Sequence, residues 1–178
     1  MQFRFSSITD MLEKQAQLRA HQDCLLYPDQ TDSHKYAALT YKQLNEVTNH
    51  IAQKFAAQIQ CSSSNETPVV CLLANSDVSY LLSIYALLKL NVIVFPLSIR
   101  NSDAALVHLL KNSKASYLFY SNQYSAVTTK INVEFGSAIK LHSLEEVRIA
   151  ELLHLGESSF KPTSAVDEVE QVRIIFHR

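Results

Sequence analysis

Residues 80–101, YLLSIYALLKLNVIVFPLSIRN, decide the fold. Through Leu90 the stretch is almost wholly apolar, and a helix over 78–90 is predicted. After Asn91 come Val92, Ile93, Val94 and Phe95, which favour extended chain, so 92–97 predicts a strand. A membrane span needs about 18 apolar residues, and 80–97 is long enough. Lys89 and Asn91 in its middle and Pro96 near its end argue instead for a helix followed by a strand. A helix that runs straight into a strand needs a residue at positive φ in the turn. Asn91 is the best choice other than glycine.

Working outward, Pro68 opens 69–74 (VVCLLA), a continuous apolar run of the kind found in parallel sheets. Asn75, Ser76 and Asp77 offer caps for the central helix. On the other side, Asn101, Ser102 and Asp103 cap a predicted helix over 103–112, with Ala105, Leu106, Leu109 and Leu110 facing inward, and 116–121 reads as a strand. Further on, the pattern predicts a helix over 123–130, a short strand over 138–142 and a helix over 144–155. A polar loop over 156–169 and a last strand over 172–177 follow.

Toward the N-terminus, 7–21 has helical spacing, with Ile8, Leu12, Met11 and Leu18 inward and Ser7 or Thr9 as cap. Residues 23–27 and 36–40 read as a hairpin. Thr40 with Gln43 three residues later is a capping box. Leu44, Val47, Ile51, Phe55 and Ile59 then form one apolar stripe.

Strands and helices alternate, so the expected class is α/β. The sheet should be mostly parallel, built on strands beginning near Val69, Val92, Tyr117 and Val172, with helices on both faces. The length of 178 residues suits one α/β domain spanning 1–178, with 156–169 as an internal loop.

Composition narrows the function. The chain is 47% hydrophobic and 19% charged, with a net charge of -1. That is the profile of a globular protein with no electrostatic reason to bind nucleic acid or an anionic membrane. The three cysteines are an odd number without CxxC spacing, which fits a reducing compartment. The N-terminal segment lacks the apolar core of a signal peptide, so a cytoplasmic location is expected. There are only two glycines, Gly136 and Gly156. A phosphate-cradling loop needs several glycines together, so these residues hold neither such a loop nor a dinucleotide fingerprint.

Three stretches in order resemble the N-terminal part of the adenylate-forming superfamily, which includes acyl-CoA synthetases and the adenylation domains of non-ribosomal peptide synthetases. Leu39-Thr40-Tyr41-Lys42-Gln43-Leu44 is similar to its LTYxEL motif, with Gln43 in place of the acid. Leu87-Leu88-Lys89-Leu90-Asn91, running on to Phe95-Pro96-Leu97, is similar to its LKAGxxxxPL motif, with Asn91 in place of glycine. Ile174-Ile175-Phe176-His177 is similar to the strand leading into its phosphate loop. Within the superfamily, Phe95–Ser102 with Val107-His108-Leu109-Leu110 looks most like the fungal adenylate-forming reductases related to aminoadipate reductase.

The resemblance implies an N-terminal subdomain of an ATP-dependent carboxylate-adenylating enzyme. The longer protein would use ATP and Mg, activate a carboxylic acid and pass the acyl group to phosphopantetheine. A reductase domain would then release the product. The phosphate loop is expected beyond Arg178, so the 178 residues are expected to be a partial AMP-binding domain without catalysis or a cofactor of their own. Their partners would be the remainder of the adenylation domain, or a carrier or reductase domain. A stand-alone, non-catalytic α/β interaction protein derived from such a domain is the alternative.

Within the resemblance, His177 is the candidate cofactor-binding residue, at the carboxyl end of a strand next to the phosphate loop. The competing role is filling a sheet edge. Arg178 could meet a phosphate. No catalytic residue and no metal ligand is assigned. His108 has no acid or nucleophile spaced to serve it, so it reads as packing or surface. His142 with Glu145 and Glu146 offers an HxxEE edge, but without a second histidine it reads as a solvated helix start. Asp77 and Asp103 fit helix N-termini through the helix dipole. Cys71, inside an apolar strand, should be inert. Tyr80 and Tyr85 read as core aromatics.

Overall fold

A computed structural model describes residues 7–29, 31–32, 34–59, 67–136, 138–144, 148–156, 158 and 160. The elements run α1 (Ile8–Leu18), β1 (Asp23–Pro28), β2 (Tyr36–Thr40), α2 (Tyr41–Gln58), β3 (Val69–Leu73), α3 (Val78–Leu88), β4 (Ile93–Pro96), α4 (Asp103–Ser113), β5 (Tyr117–Ser121), α5 (Ser125–Glu134), β6 (Lys140–Leu144) and α6 (Ile149–His154). A 3-10 turn, Asn122–Tyr124, joins β5 to α5.

The main sheet has the order β4-β3-β5-β6, and every pairing in it is parallel. β1 and β2 form a separate antiparallel hairpin. The fold is α/β with a mostly parallel sheet between two helix layers. Its layers follow from the two-residue period of a strand. In β3, Val70 and Leu72 enter one core with α1, α2, α3, α6 and the hairpin, whereas Val69, Cys71 and Leu73 enter another with α4 and α5. The chain steps from β3 to β4, then crosses back over β3 to β5. Right-handed crossovers in opposite directions put α3 and α4 on opposite faces.

Local sequence sets the element ends. Ser7, Thr40, Asp77 and Ser102 each accept a backbone N–H three residues on, from Asp10, Gln43, Tyr80 and Ala105. The capping box is complete, since the Thr40 N–H donates to Gln43 Oε1 at 3.0 Å and the Gln43 N–H donates to Thr40 Oγ1 at 3.2 Å. Asn91 takes φ 54°, as a helix passing directly into a strand requires. Lys114, which ends α4, also takes φ 54°, so neither of these left-handed turns uses glycine.

The structure corrects several expectations. Met11 and Leu18 stay 39% and 60% exposed, and α1 buries Leu12 alone. The short strand expected over 138–142 is β6, Lys140–Leu144, which pairs with β5 as the fourth described strand of the sheet. Residues 172–177 and 161–169 lie outside the described residues. Leu144 belongs to β6, and the helix expected over 144–155 is α6, which starts only at Ile149. His142 is a residue of β6 rather than a helix start.

Candidate functional site

In an open parallel sheet, ligands collect outside the carboxyl ends of the strands, at the point where neighbouring connections diverge. Here that point lies between β3 and β5. The chain leaves β3 through α3 toward β4, and leaves β5 through α5 toward β6. One polar link spans it and a second lies beside it. The Tyr124 hydroxyl donates to Asn75 Oδ1 at 2.7 Å, tying the turn after β5 to the turn after β3. The Ser143 hydroxyl donates to Asn122 Oδ1, tying β6 to β5. Carboxamides and hydroxyls therefore line this rim, and Arg100, in the turn after β4, is an exposed cation.

The rim can hydrogen-bond a ligand, but its residues do not fit a triphosphate. Asp77, whose carboxylate accepts the Tyr80 N–H at 2.9 Å, already occupies the N-terminus of α3. A carboxylate there offsets the positive end of the helix dipole that would attract a phosphate. Among its described residues the rim has no paired acid and base and no nucleophile with an activating neighbour. Among the described residues there is no group of three metal-ligating side chains.

Two concavities adjoin the rim, one reaching Ser143 and the other Ser76 and Asp77. A cleft of about 680 Å³ runs between α2, β6 and α6. Its apolar part is Ile51, Phe55, Leu144 and Leu152, and Lys54, Arg148 and Glu151 add charge. Arg148 Nη1 donates to Glu151 Oε1 at 3.0 Å. A groove of about 500 Å³ separates the hairpin, at Leu25–Pro28, from the start of α3.

The sequence candidates are dispersed. His177, Arg178, Glu145 and Glu146 lie outside the described residues. His108 is exposed and shares a hydrogen bond with Asn112 on its own helix, Nε2 to Nδ2 at 2.8 Å. His142 stacks on Phe119 and Tyr117, with ring centroids 5.0 and 5.9 Å away. Burial, then the nearby Lys140 charge, holds its pKa below the ordinary histidine value. Cys71 is buried and its thiol is pushed up to about 12, so it stays protonated and unreactive. Tyr80 packs against the first core, and burial raises its hydroxyl pKa.

Sequence reasoning missed one charged cluster. Lys89 is 1% exposed. Its ammonium donates to Asn49 Oδ1 at 2.5 Å, Asn45 Oδ1 at 2.7 Å and the Asn45 carbonyl at 3.3 Å. A signal existed. Asn45 and Asn49 are four apart on α2, beside the apolar stripe, and a lone lysine in an apolar helix needs such partners.

Comparison with known proteins agrees with this architecture. The model of the family described as AMP-binding enzyme matches residues 12–173. Two curated relatives, nonribosomal peptide synthetase 5 and nonribosomal peptide synthetase hasD of Aspergillus fumigatus, are each 26% identical over 116 residues. That alignment covers 65% of this chain but 5% of either synthetase. Among solved structures, the N-terminal domain of FACL13 from Mycobacterium tuberculosis superposes with a TM-score of 0.68 at 20% identity, covering 90% of this chain and 38% of that one. A fatty acyl-adenylate ligase of L. pneumophila, solved with acyl adenylate and pyrophosphate, gives 0.61 at 18% identity, covering 90% and 26%.

Proposed function

The chain belongs to the AMP-binding enzyme family, and on that premise we propose that it serves as the N-terminal scaffold of an ATP-dependent carboxylate-adenylating enzyme. It is similar to the N-terminal domains of acyl-CoA synthetases and to adenylation domains of non-ribosomal peptide synthetases, and it spans only a fraction of their length. The longer protein converts a carboxylic acid and ATP to an acyl adenylate and pyrophosphate. A phosphopantetheine thiol then takes the acyl group as a thioester and AMP leaves. Reductive release of the product is the finest part of the proposal and rests on the likeness of residues 95–102 and 107–110 to fungal reductases.

The observation that carries the reading is the family match over residues 12–173. No catalytic step is assigned to the described residues. Their part is to hold the carboxyl ends of β3 and β5 in place beside the reacting groups that the rest of the enzyme supplies. The remainder of the adenylation domain is accordingly the first partner.

Hydroxylamine trapping tests the reading. The protein translated from the reading frame continued past Arg178, given ATP, Mg and a panel of carboxylic acids, should form a hydroxamate with at least one acid. A continued frame without a Ser/Thr/Gly-rich loop ending in lysine, or one that has the loop yet yields no hydroxamate with any acid, would overturn it.

A further inference from the structure

Lys89 is walled off from water yet shaped to stay protonated at neutral pH. It leaves the C-terminal end of α3 and reaches across to α2, where three oxygens, two from Asn45 and one from Asn49, surround its nitrogen. Each of these partners is neutral. A buried ammonium loses its hydration, and neutral amide oxygens return only part of that. The opposite charge that acts on it is Glu13 on α1. Of the other charged and titratable groups on the packed helices, Lys14 pairs with Asp10 at 2.9 Å on α1 and Lys42 with Glu46 at 3.6 Å on α2, while His50 meets the Gly156 carbonyl at 2.9 Å and Lys54 lines the cleft toward α6. On α3 itself the titratable residues are Tyr80 and Tyr85, and β4 contributes none.

We propose that Lys89 is a proton-sensitive latch between α3 and α2: uncharged, it keeps its two short hydrogen bonds and the helix layer is tight, whereas charged, it favours opening of that layer to water.

The sign follows from linkage. Desolvation pulls the Lys89 pKa down to about 8 from its ordinary 10.5, against the weaker opposing pull of Glu13. Below about 8 both folded and unfolded chains carry the proton. Between about 8 and 10.5 only the unfolded chain does, so the fold gains stability as pH rises. The contribution of this one group to the folding constant rises on the order of 50-fold from pH 7 to pH 10. Tyr27, half-buried Tyr80, Cys24 and Cys71 have raised pKa values and act in the opposite direction, so the latch is read as a difference between wild type and variant.

NMR titration of lysine 13Cε resonances from pH 7 to 11 tests the proposal on the wild-type chain. One resonance should titrate near pH 8, and Glu13→Gln should move it lower while the others stay in place. Urea unfolding at pH 7 and pH 10 should show wild type gaining on Lys89→Met by on the order of 50-fold in the folding constant. If Lys89→Met does not fold, the titration of wild type and Glu13→Gln decides alone. Every lysine titrating above pH 10, a low resonance that ignores Glu13→Gln, or an equal pH response of wild type and Lys89→Met would each overturn the latch.

Discussion

The two faces of the sheet are covered in different ways. One lies under α1, α2, α3, α6 and the hairpin, and its core is the larger. It contains the charged Lys89 cluster and the buried Thr48, whose hydroxyl donates to the Leu44 carbonyl at 2.8 Å. The other, under α4 and α5, is smaller and is closed by aliphatic residues around Phe95 and Leu118. Of the stretches that resemble the adenylate-forming enzymes, 39–44 and 87–91 sit on the first face, whereas Phe95 and Leu97 of the second stretch enter the other core. The former cap α2, supply its first buried leucine and carry the lysine that joins α3 to α2. In the described part of the chain, these residues do architectural work.

This contrast can be broken by mutation. The largest effect should come from Phe119→Ala on the first face, at about 3–5 kcal/mol of stability. Phe119 is fully buried and packs edge-on to Phe55 with centroids 4.9 Å apart. Leu110→Ala on the second face should cost about 2–4 kcal/mol, because Leu110 is equally buried but smaller. Urea unfolding of both variants gives the ranking, and a larger loss at Leu110 would reverse the contrast. Thr40→Ala should cost about 1 kcal/mol by opening the capping box, with the same m-value as wild type. An unchanged midpoint would show that the motif's threonine is not needed to start α2.

The smallest effects lie at the two left-handed turns. Lys114→Gly, at the end of α4, should raise stability by about 1 kcal/mol, because a lysine side chain, unlike that of asparagine, is not suited to the short local hydrogen bond that offsets the steric cost of positive φ. Asn91→Gly, at the end of α3, should gain only a few tenths, roughly 0.3 kcal/mol, since asparagine tolerates that conformation. Equal gains in thermal midpoint would mean that the asparagine confers no advantage.

Much of the fold was legible where one local signal dominated. The Thr40–Gln43 box, the apolar run of β3 and the positive φ of Asn91 each depend on a few adjacent residues. β6 was harder to place. KLHSL lacks an apolar run, and only pairing with β5 and stacking of His142 on Phe119 put it in the sheet. The helix expected over 144–155 was drawn too long because Leu144 fits a helical stripe as readily as a strand. The rim links, Tyr124 to Asn75 and Ser143 to Asn122, join residues 49 and 21 positions apart. No local pattern announces such pairs. Lys89 was read as evidence against a membrane span, and no helix among the described residues is long and apolar enough to cross a membrane. Its role in joining two helices appeared only once α2 was packed against α3.

The central claim is that these residues are scaffold and that the adenylating chemistry needs groups beyond them. ATP–pyrophosphate exchange, measured on the 178-residue chain beside the protein from the continued reading frame, tests it most directly. The account predicts acid-dependent exchange by the longer protein and none above blank by the chain alone. Exchange by the 178 residues themselves would contradict it.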